Sequence, residues 1–207
     1  MKKNLWKVAA LSVMMMFSAQ SQAQSLGDVL NAIGSQQGSS VAQGLTSVFS
    51  NDKQATAEKL IGTWNYTEPA IVFTSDNILA KAASKIAANK VESKLQEQLS
   101  KYGIKPGSFS MTFNEDGTFT ETLKGKTTKG TWQVKDSKLI LSVVGIQAFS
   151  ITTQIDGKDL QFVTDATKLL NLFKTIGAKS SNSSIKTVAS LMKSVKGMQA
   201  GITMRKQ

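Results

Sequence analysis

The nearest approach to a catalytic spacing in this chain is Ser-x-x-Lys, at Ser183/Lys186 and Ser190/Lys193. A lysine one helical turn from a serine is the arrangement that activates some serine acyl-enzymes. Lys and Arg together number 25 in 207 residues, all lysine except Arg205. Serine is comparably common, so about three such spacings arise by chance and they carry no weight. The chain has no His and no Cys. That removes the commonest general base, the commonest zinc ligand and the thiol nucleophile, and it forbids disulfides. Glu115, Asp116, Asp156 and Asp159 fall in turn sequences, where Asp and Gly serve the backbone. No paired carboxylates, phosphate loop or dense acidic loop is present. No catalytic residue, metal ligand or cofactor is assigned, and the protein is read as not an enzyme. One carboxylate stands apart. Alternation places Glu121 between Phe119 and Leu123 on one face, so if that face is inward it would project into the protein, to bind a polar or cationic ligand group or to pair with a lysine. Against that stands the plainer reading that this end of its strand faces water.

The formal charge of +11 invites an anionic partner. Specific nucleic-acid contacts lean on the bidentate guanidinium, and a chain with one Arg is poorly equipped for them. The lysines are spread along the chain and read as a solvated surface. No nucleic-acid partner is expected.

The elements that would position Glu121 follow in chain order. Residues 1–23 have the form of a cleavable export signal: Lys2, Lys3 and Lys7, an apolar run from Val8 to Phe17, and Ser21-Gln22-Ala23 before the cut. That run is too short to anchor in a bilayer, no later stretch reaches spanning length, and a periplasmic or extracellular protein is expected. Residues 24–55 form a Ser/Gln/Gly-rich arm with two short helical patterns, the second on Val41, Leu45, Val48 and Phe49. Residues 56–207 form the main domain. Ile61–Thr74 reads as its opening strand, with Pro69 marking a bulge or an edge. Residues 76–102 read as one helix with an apolar stripe on Leu79, Ala83, Ala87, Val91, Leu95, Leu99 and Tyr102, widened by Ile78, Ala82 and Ile86. Gly103 and Pro106 end it. Short alternating segments follow between turns such as Asn114-Glu-Asp-Gly117 and Asp156-Gly-Lys158. A helix pair over 166–197 precedes a final short strand at Ile202–Arg205. The pattern is α+β but mainly β: an antiparallel up-and-down barrel of about eight strands with inserted helices.

Gly62-Thr63-Trp64 at the head of the first strand resembles the Gly-x-Trp signature of lipocalin-like (calycin) proteins. Phe113-Asn-Glu-Asp-Gly-Thr-Phe119, Gly130-Thr-Trp-Gln-Val134 and Leu139-Ile-Leu141 look like the meander of bacterial lipocalin-like domains. The chain is similar to a family of secreted lipocalin-like proteins from Gram-negative bacteria. The resemblance implies that a basic residue of the last strand lies across the tryptophan of the first. By position that residue is Arg205, so Gly62, Trp64 and Arg205 are expected to close the barrel. The long helices depart from the usual pattern and would fill or cover the cup.

Two functions follow as expectations. One is a secreted binding protein for a small hydrophobic molecule or lipid, lined by Trp132, Glu121, Phe119, Phe113 and Phe149. The other is a cell-envelope structural or protein-interaction module with a plugged barrel, no small-molecule ligand and a protein partner in the envelope.

Overall fold

The computed structural model describes residues 46–79, 81–143, 146–169 and 183–207. The export signal and the first helical pattern of the arm lie outside them. The sheet runs β1 (Thr46–Val48), β2 (Gly62–Phe73), β3 (Phe109–Phe113), β4 (Thr118–Leu123), β5 (Lys126–Lys135), β6 (Lys138–Val143), β7 (Ile146–Asp156), β8 (Asp159–Thr164) and β9 (Met198–Lys206). From β2 to β9 each strand pairs antiparallel with the next, and β9 returns to pair with β2. This is the closed meander expected from the alternation, and it leaves the ring without a free edge.

Local chemistry explains the tight corners. The two-residue loops at Lys124-Gly125 and Asp136-Ser137 have both central residues at positive φ, from 50° to 75°. That conformation matches the twist of a hairpin. At Asn114–Gly117 the Asp116 carboxylate accepts from the backbone N–H and the hydroxyl of Thr118, at 2.8 and 2.6 Å.

β2 is shared along one edge. Its first residues, Gly62–Asn65, pair with β3, and its last, Ile71–Phe73, pair in parallel with β1. Pro69 falls in the gap between, where a missing N–H costs nothing on that edge. The irregularity itself comes earlier than Pro69, between Tyr66 and Glu68. The described end of the second arm pattern is therefore a strand rather than a helix. It is pinned by side chains: Ser47 Oγ donates to Gln161 Oε1 at 2.9 Å, and Gln154 Nε2 donates to Ser47 Oγ at 2.8 Å and to Gln161 Oε1 at 2.6 Å.

The described helices are α1 (Ala57–Leu60), α2 (Asp76–Leu79), α3 (Ala82–Tyr102) and α4 (Ser183–Ser194); residues 166–169 are helical too, and the rest of the first helix expected over 166–197 lies outside the described residues. The helix expected over 76–102 is thus two, with Lys81 as the extended N-cap of α3. Gly103 ends α3 in the left-handed region at φ 87°, and Ile104 N–H reaches back to Leu99 C=O at 2.9 Å. The buried face of α3 is Ser84, Ala87, Ala88, Val91, Glu92, Leu95, Gln98 and Leu99. Ala82, Ala83 and Ile86 are exposed, so the stripe turns away from the one expected at its N-terminal end. On α4 the periodicity selects Ile185, Val188, Ala189 and Met192, all buried, and misses Leu191, which is buried as well.

The helices α2 and α3 leave the barrel after Phe73, and α4 re-enters it before Met198, which is the register partner of Phe73. Both insertions therefore stand at one end, and α3 packs on β2 and on α4. The opposite end holds α1. Its Leu60 is fully buried, and Leu60 C=O accepts the Trp64 indole N–H at 2.7 Å. One apolar core joins the barrel interior to α3 and α4.

Candidate functional site

Strand alternation decides which side chains enter the barrel. On β3, Phe109, Met111 and Phe113 are buried; on β4, Phe119 and Glu121 are. The inward rows then read across the sheet. Phe113 faces Phe119, which faces Gly130; Met111 faces Glu121, which faces Thr128.

The first row is an aromatic floor near α1. The Phe113 ring meets Trp132 edge-on at 5.4 Å, Phe162 edge-on at 6.3 Å and Phe119 at 6.3 Å. Gly130 makes this possible. A Cβ there would stand 2.6 Å from the Phe119 ring and 2.2 Å from Ser142 C=O. The polar edge of the floor is satisfied, since Trp132 Nε1 donates to Asn114 C=O at 3.1 Å. Phe113, Phe119 and Trp132, candidates for lining, are thus packed against one another. Phe149 pairs through its backbone with Leu141; its side chain lies outside the described residues.

The second row is different. Glu121 is 1% exposed, and neither carboxylate oxygen has a hydrogen-bond partner. Burial alone pushes its carboxyl up to about 8, because the charged form has lost water and gained no compensating charge. No described ion pair includes it. The inward placement holds and the water-facing reading of this residue does not. An unpaired buried carboxyl costs on the order of 1–3 kcal/mol. The half-buried Thr128 and the buried Met111 beside it were not singled out in the sequence; only the register brings them together. Thr153 Oγ1, on β7, is likewise buried without a partner.

The clasp between first and last strands also differs from expectation by one residue. Trp64 pairs with Lys206, whose Nζ stands 5.3 Å from the centre of its ring. Arg205 pairs with Asn65 and turns outward, where Nε and Nη2 bind the two carboxylate oxygens of Asp159 at 2.8 and 3.1 Å. Arg205 therefore joins β9 to β8, and Lys206 covers the tryptophan. The physical reason is parity, since a one-residue step along a strand reverses the face. Gly62 serves the same clasp: it sits at φ +125°, and a Cβ there would come within 2.9 Å of Lys206 Cε.

At the helix-covered end, the inward Tyr66 hydroxyl donates to Gln96 Oε1 on α3 at 3.1 Å. Burial raises this phenol above its ordinary value. Among the described residues no group of three or more His, Cys, Asp or Glu converges to hold a metal, and no helix is long and apolar enough to cross a membrane.

A family described as a lipocalin-like domain, DUF4923, matches residues 30–206. No curated protein matches the chain. Among solved structures, a DUF4847 family protein from Bacteroides vulgatus is similar at 17% identity. The match covers 72% of this chain and 95% of that one, with a TM-score of 0.33.

Proposed function

The chain belongs to the DUF4923 family of lipocalin-like domains, and from that premise we propose that it is an exported binding protein without catalytic activity. The barrel takes a small, mostly apolar molecule or lipid, and α3 and α4 form the cover over it. The observation that carries this reading is Glu121: a carboxyl inside an apolar barrel, 1% exposed and with both oxygens unpartnered. A residue selected only for packing would not bring that cost. The leader at residues 1–23 supports export, with the mature chain starting at Gln24.

A second reading is the envelope interaction module with a plugged barrel. It is favoured by the buried face of α3, because Ala87, Val91, Leu95 and Leu99 belong to the same core as Phe113 and Phe119.

Native mass spectrometry of the mature protein, purified from envelope fractions and then extracted with organic solvent, separates the two. The binding reading expects a mass excess that extraction removes and an apolar dye that enters the extracted protein. A bare protein mass together with no dye uptake would leave only the plugged barrel.

A further inference from the structure

We infer that the ligand carries a protonated amine at its polar end, and that this amine sits against the Glu121 carboxylate with the apolar body of the molecule packed along the barrel wall. The inference rests on the binding reading above and specifies what that site selects.

Three observations converge on it. The first is geometric: Glu121 projects from the middle of β4 to the barrel interior between Met111 and Thr128, with both oxygens unpartnered. The second is what surrounds the carboxyl. The inward residues of β3 and β4 are Phe109, Met111, Phe113 and Phe119, and no lysine or arginine is among the buried residues described. Among the described residues every Lys and Arg is exposed or half-buried. A fatty acid entering head first would bring a second carboxyl to Glu121 with no described buried cation to receive it, which disfavours the acidic amphiphiles. The third is chemical economy. A ligand offering only a neutral hydroxyl or amide N–H would be met equally well by glutamine, at a smaller desolvation cost. A carboxylate gains over glutamine when the donor is cationic, because charge-assisted hydrogen bonds are about twice as strong as neutral ones. Burial favours the proton on the empty site, and a cation at hydrogen-bond distance restores the charged form. The ligand thereby supplies the counter-charge that the fold leaves out.

The experiment is displacement of the neutral dye Nile red from the extracted full-length mature protein at neutral pH. The competitors are dodecylamine, dodecanol and dodecanoate, which share one apolar chain and differ in head group. The expected result is that dodecylamine displaces the dye at about tenfold lower concentration than either of the others. Glu121→Gln should narrow that preference to within about threefold while Nile red still binds. Glu121→Leu, which removes the polar group altogether, should abolish it, so the outcome does not depend on one variant folding. Equal displacement by all three heads, or stronger displacement by dodecanoate, would overturn the amine assignment and leave the binding reading intact. An amine preference that survives both substitutions would overturn the role of Glu121. A folded, extracted protein that takes up neither dye nor competitor would overturn the binding reading itself, and this inference with it.

Discussion

The two inward rows of the barrel treat polarity in opposite ways. In the floor the Trp132 indole N–H has its acceptor in Asn114 C=O. The Phe113 ring meets Trp132 and Phe162 edge to face and Phe119 at a tilt. One inward step along β4 the rule lapses, and Glu121 is buried with nothing to bond. The floor is built for stability, since burial is combined with satisfied donors. The row above it gives stability away, and natural folds tend to do that where a partner arrives later.

Substitutions can sharpen or break this contrast. Phe113→Ala should cost the most, about 3–5 kcal/mol by urea unfolding, because it removes the ring that three other rings touch. If the loss were under about 1 kcal/mol, the floor would not be the stabilising row. The pH dependence of stability should come next, and its sign follows from Glu121. Its folded carboxyl is raised from the ordinary 4.5 to about 8, so in that window the native state holds a proton that the unfolded chain has lost. Stability should be highest at the acid side of the window and fall as pH rises through it, by up to about 1.4 kcal/mol per pH unit. Glu121→Gln should flatten that slope; a slope unchanged in the variant would locate the titrating group elsewhere. Trp132→Phe should cost about 1–2 kcal/mol, since it strands Asn114 C=O and thins the floor. Glu121→Leu should by contrast be neutral or stabilising, which differential calorimetry on the two variants would show side by side. Lys206→Ala should have the smallest effect, about 0.5 kcal/mol, as expected for a cation over a ring at an exposed site.

Much of this architecture was legible in the residues because a barrel meander is written in local terms. Alternation at Phe109–Phe113 and Thr118–Leu123 and the turn at Asn114–Gly117 fix those strands and their order. The helix end at Gly103 was equally local. What escaped depends on register or on partners distant in sequence. Arg205 and Lys206 are adjacent basic residues, and no local signal says which one faces Trp64; only the β2–β9 pairing does. β1 has three residues in a Ser/Gln/Gly-rich arm, and its extended form comes from pairing with the part of β2 that β3 does not reach rather than from its own composition. The break between α2 and α3 lies in an unbroken helical pattern, so no local signal marks it. For Glu121 the alternation gave its companions, Phe119 and Leu123, but not which side of the sheet they share.

The joining of β9 to β2 also sets an order of events. Trp64 cannot meet Lys206, nor Phe73 meet Met198, until nearly the whole chain is present. Contacts this distant in sequence are slow to form, because a long loop must close before they repay it. A chain truncated before its last strand, Met198–Lys206, would hold an open ribbon with bare hydrogen-bonding edges on β2 and β8. Such edges template pairing between molecules. For this protein, truncation at the C-terminus is therefore a solubility lesion as much as a stability one, and the final strand acts as the gatekeeper against self-association.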